Sequence, residues 1–426
     1  MENNTNIDSE ELKNEQPVQN KDNNKKTFTT SEVILLVIMS LLIGLSASLL
    51  LSKTSVITKN QIIDDAYLKE FVDNYEYIVN NYYEEVDKSK LIDKAIKGMT
   101  ESLDDPYSTY FNENESDNFS ITLNGSYKGV GIQIGKEENG YMLITAVFKN
   151  SPAEEAGLKA GDEVISIDGK SVVELTTKEF SDLVKNGDNK QFSLKVLRDE
   201  KEIDITLKRS TVTLDSVASE MYERNGKKIG YIYIGIFANN TCDQFKQKLD
   251  ALEKEKIDYL IIDVRQNTGG HLTSVDGILD IFLNSKQVMY KFEQNKKVTS
   301  IYGTGKENKK YEIVLLGDNS SASASEVLIA GLKENLNSKL IGKQTYGKGT
   351  VQEMVNLSDG TQYKITVKKW LTPKGNWIND TKGIKPDIDV DLSDKYYETG
   401  EIQDDTQLQA AFDYIEGKWL YWWLQI

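Results

Sequence analysis

Apolar residues recur along this chain with two distinct periods, and the switches between them outline its architecture. Over residues 60–100 large apolar side chains return every three or four positions: Ile62, Ile63, Tyr67, Phe71, Tyr75, Ile78, Tyr82, then Leu91, Ile92, Ala95 and Met99. That spacing predicts two or three amphipathic helices. From Lys128 to Arg209 short strand-like runs follow one another: GIQIG, YMLITAV, DEVISIDG, FSLKVLR and KEIDITLKR. Between them SPAEEAGLKAGD predicts a short helix and a glycine turn. Residues 177–186 predict a second helix, with Phe180, Leu183 and Val184 on one face. Strands with two short helices make a small β-rich domain.

Further on, continuous apolar runs alternate with amphipathic stretches. Strands are predicted at 227–237 and 259–264, with a helix at 241–252 between them that puts Phe245, Leu249 and Leu252 on one side. A tight loop at 267–270 precedes a helix at 273–282. An apolar run at 313–316 leads through a turn of small residues into a helix starting near Ala324, and short strands follow around Ile341 and at 362–367. Strand, loop and helix in repetition imply α/β layers. A last helix, 404–415, is expected to return to the N-terminal helices.

The amino terminus is different in kind. Residues 1–32 are mostly Asn, Asp, Glu, Lys and Gln, a composition that buries no core and predicts a disordered cytoplasmic tail. The run at 33–52, VILLVIMSLLIGLSASLLLS, carries no charge and shows no polar face. Its length suits a transmembrane helix of about 20 residues. Lys25 and Lys26 precede it and Lys53 and Lys59 follow, so flanking charge orients it only weakly. A short tail before a single anchor predicts a single-pass protein of the cell membrane, with its amino terminus inside and its bulk extracytoplasmic. A signal peptide cleaved near Ser46-Ala47-Ser48 is the alternative; the length of the apolar run favours an uncleaved anchor. No cysteine follows the run, which excludes a lipoprotein.

Composition narrows the function. With a formal charge of −16 the chain is a poor match for nucleic acid. Its single cysteine, Cys242, permits no intramolecular disulfide and no zinc-cluster spacing, and it reads as a buried structural thiol. No metal or cofactor is called for.

The chemistry concentrates at 311–352. Ser323 falls where a helix begins, so its hydroxyl points out of a turn and unpaired N–H groups lie close by. A serine nucleophile needs a base, and the chain has one histidine, His271. Downstream stands Lys348 between Gly347 and Gly349. A lysine serves as base when burial favours its neutral amine. Ala322, Ala324 and Ser325 leave room for a substrate backbone.

SASASE followed by YGKGTVQ resembles the carboxyl-terminal processing proteases, tail-specific peptidases with a Ser/Lys dyad. The resemblance implies Ser323 as nucleophile, Lys348 as general base and Gln352 as the residue orienting the amine. It implies an α/β catalytic domain of ClpP/crotonase-like layers at 210–400, and it spans roughly 60–415. The Gly269-Gly270 turn resembles the family's oxyanion loop, with the N–H of Ala324 as partner donor. Thr268 stands where proline is common and His271 where an apolar residue is common, so the loop departs from the pattern. His271 reads as a polar residue at a helix start rather than as the base. The stretch at 118–209 is similar to PDZ modules, whose Gly-hydrophobic-Gly-hydrophobic loop holds a terminal carboxylate; Gly129, Val130, Gly131 and Ile132 would be that loop. SLDDPYSTYF, 102–111, looks like the entry to the module. The helical region 60–117 implies dimer contacts, and a homodimer is among the expected partners, beside protein tails and the membrane.

The last segment, 401–426, ends in KWLYWWLQI, suited to an interface, to a membrane surface or to the module's own groove. The expected activity is that of a membrane-anchored serine endopeptidase acting on C-terminal tails. A non-catalytic PDZ scaffold that only binds tails is the rival reading.

Overall fold

The computed structural model describes residues 65–186, 189–305, 309–357 and 360–418. Among them no helix is long and apolar enough to cross a membrane. The expected tail 1–32, the anchor 33–52 and the aromatic end beyond Lys418 lie outside these residues. The chain divides into two compact units, Met1–Ile92 and Asp93–Ile426. In the first, the helix Ala66–Asn81 is capped by Asp65, whose carboxylate accepts from the N–H groups of Tyr67 and Leu68. It buries no residue: Tyr67, Phe71, Tyr77 and Ile78 are exposed.

The second unit is built on a sheet whose apolar residues sort by the period of two. Its strands run in the order Val217–Arg224, Lys227–Ile234, Tyr259–Asp263, Glu312–Gly317, Lys339–Gly342, Ile388–Asp389. The first pair is antiparallel and the rest are parallel. Leu260, Ile262, Ile313, Leu315 and Leu340 face one side, where they pack with residues of the helices Thr241–Lys254, Leu272–Phe282 and Ala324–Leu336. Ile261, Val314, Leu316 and Ile341 face the other side. There Leu408, Ala411, Phe412 and Ile415 of the helix Thr406–Glu416 cover them. Parallel strands buried on both faces explain the continuous apolar runs.

The C-terminal helix thus packs on the catalytic sheet, which corrects the expectation that it returns to the amino-terminal helices; its apolar stripe matches the sheet's second face. A buried ion network fastens it there. The Arg265 guanidinium donates to Asp263, to Asp405 and to the Gln407 side chain, and Tyr231 donates its hydroxyl to Asp263. With two carboxylates around it, that buried cation is fully compensated.

A second, five-stranded sheet was not legible in the sequence. It contains the hairpin Val288–Gln294 and Lys297–Tyr302, the hairpin Thr350–Asn356 and Gln362–Leu371, and the short strand Thr109–Phe111. Thr109 pairs with Lys364, which ties the segment before the module to the far end of the chain.

The module itself is a five-stranded antiparallel sheet in the order Ile132–Lys136, Met142–Val147, Glu163–Ile167, Gln191–Arg198, Lys201–Lys208. Met142, Ile144, Phe180, Leu194 and Val196 form its core. The helix Glu113–Asn124 runs across residue 118, and the chain enters and leaves the module side by side. Ser126–Gly129 pairs with Ser210–Thr213 as a two-stranded ribbon.

Replacing Asp405 by Ala leaves Arg265 with half of its carboxylate partners. Urea unfolding should show a loss of about 3 kcal/mol, the usual scale for breaking a buried ion pair; a loss below 1 kcal/mol would show that the network is not what fastens the helix.

Candidate active site

The strand Glu312–Gly317 delivers the chain into a turn held by its own side chains. Asp318 accepts from the N–H groups of Ser320 and Ser321, and the Ser321 hydroxyl donates to the Val264 carbonyl. At the end of this turn Ser323 sits at φ 55° and ψ −113°. A non-glycine residue there is strained, at a cost of order 1–3 kcal/mol, so the surroundings must hold it.

The hold comes from Glu326, one turn into the helix. Its carboxylate is fully buried and accepts from the N–H of Ser323 at 2.8 Å, the Thr345 hydroxyl at 2.6 Å, the N–H of Gly347 at 2.7 Å and the N–H of Lys348 at 2.9 Å. Burial pushes the Glu326 carboxyl up, and these four donors work against that push. One carboxylate therefore fixes the backbones of both Ser323 and Lys348. The Lys348 carbonyl is held separately by the Trp370 indole N–H at 2.8 Å.

The glycine loop lies against the serine. A Cβ added to Gly269, at φ 112°, would come 2.9 Å from the Ala322 carbonyl oxygen and 3.0 Å from the Ser323 Cβ. Asn267 binds the loop to the turn, since its backbone carbonyl accepts from the N–H of Ala322 and the hydroxyl of Ser325. Its side chain accepts from the N–H of Gly269 at 2.9 Å. That contact refines the expected oxyanion set. The Gly269 N–H is engaged within its own turn, while the N–H groups of Gly270 and Ala324 have no acceptor among the described residues. Gly270 and Ala324 are the donors available to a developing oxyanion.

Ser323, Lys348, Gln352, Gly269 and Gly270 line one cavity of about 510 Å³. Burial drives the Lys348 amine down to about 8. The nearby Lys364 pushes the same way, and Asp105 and Glu326 oppose. The amine lies 4.7 Å above the Tyr107 ring and hydrogen-bonds to no described residue, Ser323 included. Gln352 does not orient it here: the Gln352 amide donates to the hydroxyls of Thr350 and Thr366, at 2.9 and 3.0 Å. The expected role is corrected in this geometry, because two threonine hydroxyls flanking that amide satisfy its donors.

His271 reaches the same cavity. Its backbone N–H donates to the Phe237 carbonyl at 2.7 Å, its side chain caps nothing, and its Nε2 is buried without a partner. Burial holds the imidazole below its ordinary value, so it is neutral near pH 7. Cys242 is half-buried against Gly277, with its thiol pushed up by burial, as a structural cysteine would be. Among the described residues no cluster of His, Cys, Asp and Glu has the arrangement to hold a metal ion.

In the module, Gly129 to Ile132 line an apolar groove with Phe180 and Val184 of the helix Thr177–Asn186. Gly131 has φ 85°, and a Cβ there would lie 2.2 Å from that of Ser151, so only glycine fits.

A strained serine at a strand-to-helix turn, with donors beside it and a peptide groove on an inserted domain, defines a serine-type peptidase with a PDZ domain. Family models match accordingly: Peptidase family S41 over residues 228–390, a PDZ domain over 143–198 and the activating protease CtpB N-terminal domain over 45–115. The chain is 39% identical over 332 residues to the carboxy-terminal processing protease CtpB of Bacillus subtilis, an overlap of 77% of this chain and 68% of that one. It is 38% identical to CtpA of the same organism, over 75% of this chain and 68% of that one. Among solved structures it is similar to a photosystem II D1 C-terminal processing protease, with 24% identity, a TM-score of 0.44, and coverage of 75% and 92% of the two chains. The chain belongs to the carboxy-terminal processing proteases of peptidase family S41.

Two site residues were not singled out in the sequence. Glu326 lies inside the SASASE motif, but its partners come from a segment about twenty residues on. Tyr107 lies in the SLDDPYSTYF stretch, and only the fold sets it under the lysine.

Substituting Glu326 by Gln turns one oxygen into an amide N that faces two donors. The expected cost is about 3 kcal/mol of stability, together with at least a hundredfold drop in peptidase activity. Thermal unfolding and peptide cleavage measure both, and wild-type values in either would refute the clamp.

Proposed function

We propose that this protein is a serine endopeptidase that captures C-terminal tails in its PDZ groove and cleaves with a Ser323/Lys348 dyad. The observation that carries the reading is a lysine amine made nearly neutral by burial, in the same cavity as a strained serine. In the reaction the amine leaves the Tyr107 ring and accepts the Ser323 proton. The hydroxyl oxygen attacks the scissile carbonyl, and the N–H groups of Gly270 and Ala324 receive the oxyanion. The resulting ammonium returns its proton to the departing amine, and water then resolves the acyl-enzyme with the same lysine as base. Catalytic hydrogen bonds often tighten only when substrate is bound, so the open resting contact is compatible with this route. Gln352 takes up its orienting role once Lys348 swings toward it.

The groove supports tail recognition. It joins strand-like backbone to an apolar helix face, and the terminal carboxylate would rest on the backbone of Gly129 to Ile132. The anchor at 33–52 would hold the protein in the cell membrane with its catalytic part extracytoplasmic. The exposed apolar side chains of Ala66–Asn81 would serve a homodimer.

The test uses the full chain in detergent and an unfolded protein with an apolar tail. Ser323→Ala and Lys348→Ala should each lower cleavage by at least about a thousandfold, while His271→Ala retains substantial activity. Because the neutral amine is the base, kcat/KM should rise with pH through a midpoint near 8 and fall about tenfold per pH unit below it. Unchanged cleavage in either dyad variant would overturn the mechanism. Tail binding without wild-type cleavage would leave the scaffold reading.

A further inference from the structure

The cavity holds a second lysine that the proposed mechanism leaves idle. Lys364 lies on the strand Gln362–Leu371, opposite Met354 on one side and Thr109 on the other, two residues before Thr366, which faces Gln352 across the hairpin. That register points its amine into the space lined by Ser323, Lys348 and Gln352. The amine lies 5.5 Å from the Phe111 ring centre and 5.4 Å from that of Phe119, and these two rings stack 5.0 Å apart. Two aromatic faces favour a cation at that point. Like Lys348, it makes no hydrogen bond or ion pair with a described residue.

We propose that the Lys364 ammonium is a positioning charge of the active site: it holds the neighbouring Lys348 amine in the neutral form that accepts a proton. Two ammonium groups in one half-dry cavity repel, so one of them gives up its proton early. The surroundings decide which one. Lys364 has the Phe111–Phe119 pair and the charge of Asp105, and Lys348 lies in the drier position. Lys364 lowers the Lys348 amine next after burial itself.

The other groups around Lys348 do not supply this effect. Asp105 and Glu326 both raise it. The Tyr107 phenol is pushed up to about 12 by burial and by its hydrogen bond with Tyr346, so it is neutral, and His271 is neutral as well. Asp105 stays ionised: burial pushes it up, but hydrogen bonds from Ser108, Thr366 and the Tyr107 N–H outweigh that. Without Lys364 the Lys348 ammonium would face only attractive carboxylates.

The inference rests on Lys348 being the base, and its test separates the two. kcat/KM is measured against pH for the full chain, as wild type, Lys364→Met, Lys364→Gln and Lys364→Arg. Neutral replacements should move the rising limb up by about one pH unit, giving about tenfold less activity at pH 7 and recovery above pH 10. The Arg variant, which keeps the charge, should keep the wild-type midpoint. A uniform loss at all pH values with an unmoved midpoint, or an Arg variant that behaves like Met, would overturn the proposal. A second readout needs no activity: competitive acetic anhydride labelling of Lys348 in a Ser323→Ala background, read by peptide mass. The labelling midpoint should rise in Lys364→Met; an unchanged midpoint refutes the inference even if Lys348 proves not to be the base. The failure of the base itself would show instead as undiminished cleavage in Lys348→Ala.

Discussion

A single buried carboxylate sets the geometry on which this site depends. Glu326 gathers N–H groups from Ser323, Gly347 and Lys348 and the hydroxyl of Thr345. A charge removed from water is costly unless its lone pairs are filled, and here four donors fill them. The consequence is geometric: two loops distant in sequence are registered to each other through one side chain. The strained backbone of Ser323 persists because the groups around it cannot relax without leaving that carboxylate bare.

The electrostatics follow from the same arrangement. The cavity is dry enough to unload a lysine, yet it holds charged groups of both signs. Asp105 and Glu326 stabilise ammonium, while Lys364 and the loss of water oppose it. The balance falls near neutrality, the useful range for a base that must first take a proton and then return it. An imidazole reaches that range unaided; an amine reaches it only inside a shaped environment. The clamp, the aromatic rings under the two amines and the second sheet together make that environment.

What the sequence revealed and what it hid divide along a physical line. Strands buried on both faces announce themselves as apolar runs, and Ile313 to Leu316 and Tyr259 to Ile262 were legible for that reason. The helix at 177–186 was legible from Phe180 and Val184, and Ser323 and Lys348 from the small residues around them. The hairpin Val288–Tyr302 was not, because it alternates polar and apolar residues without an uninterrupted run and Val298 is exposed. The hydrogen-bond direction of Gly269 against Gly270 depends on Asn267, which no spacing rule reports. The relation of Tyr107, Phe111 and Lys364 depends on the pairing of Thr109 with Lys364, a contact across most of the chain.

The ribbon of Ser126–Gly129 and Ser210–Thr213 has one more implication. Its first strand follows directly on the helix Glu113–Asn124, whose Phe119 and Leu123 border the serine's cavity. At its other end Tyr127 and Gly129 border the peptide groove. One short uninterrupted piece of backbone is therefore wall to both chambers. Occupancy of the outer chamber has a covalent lever on the inner one, and no signal needs to cross a domain interface to travel between them.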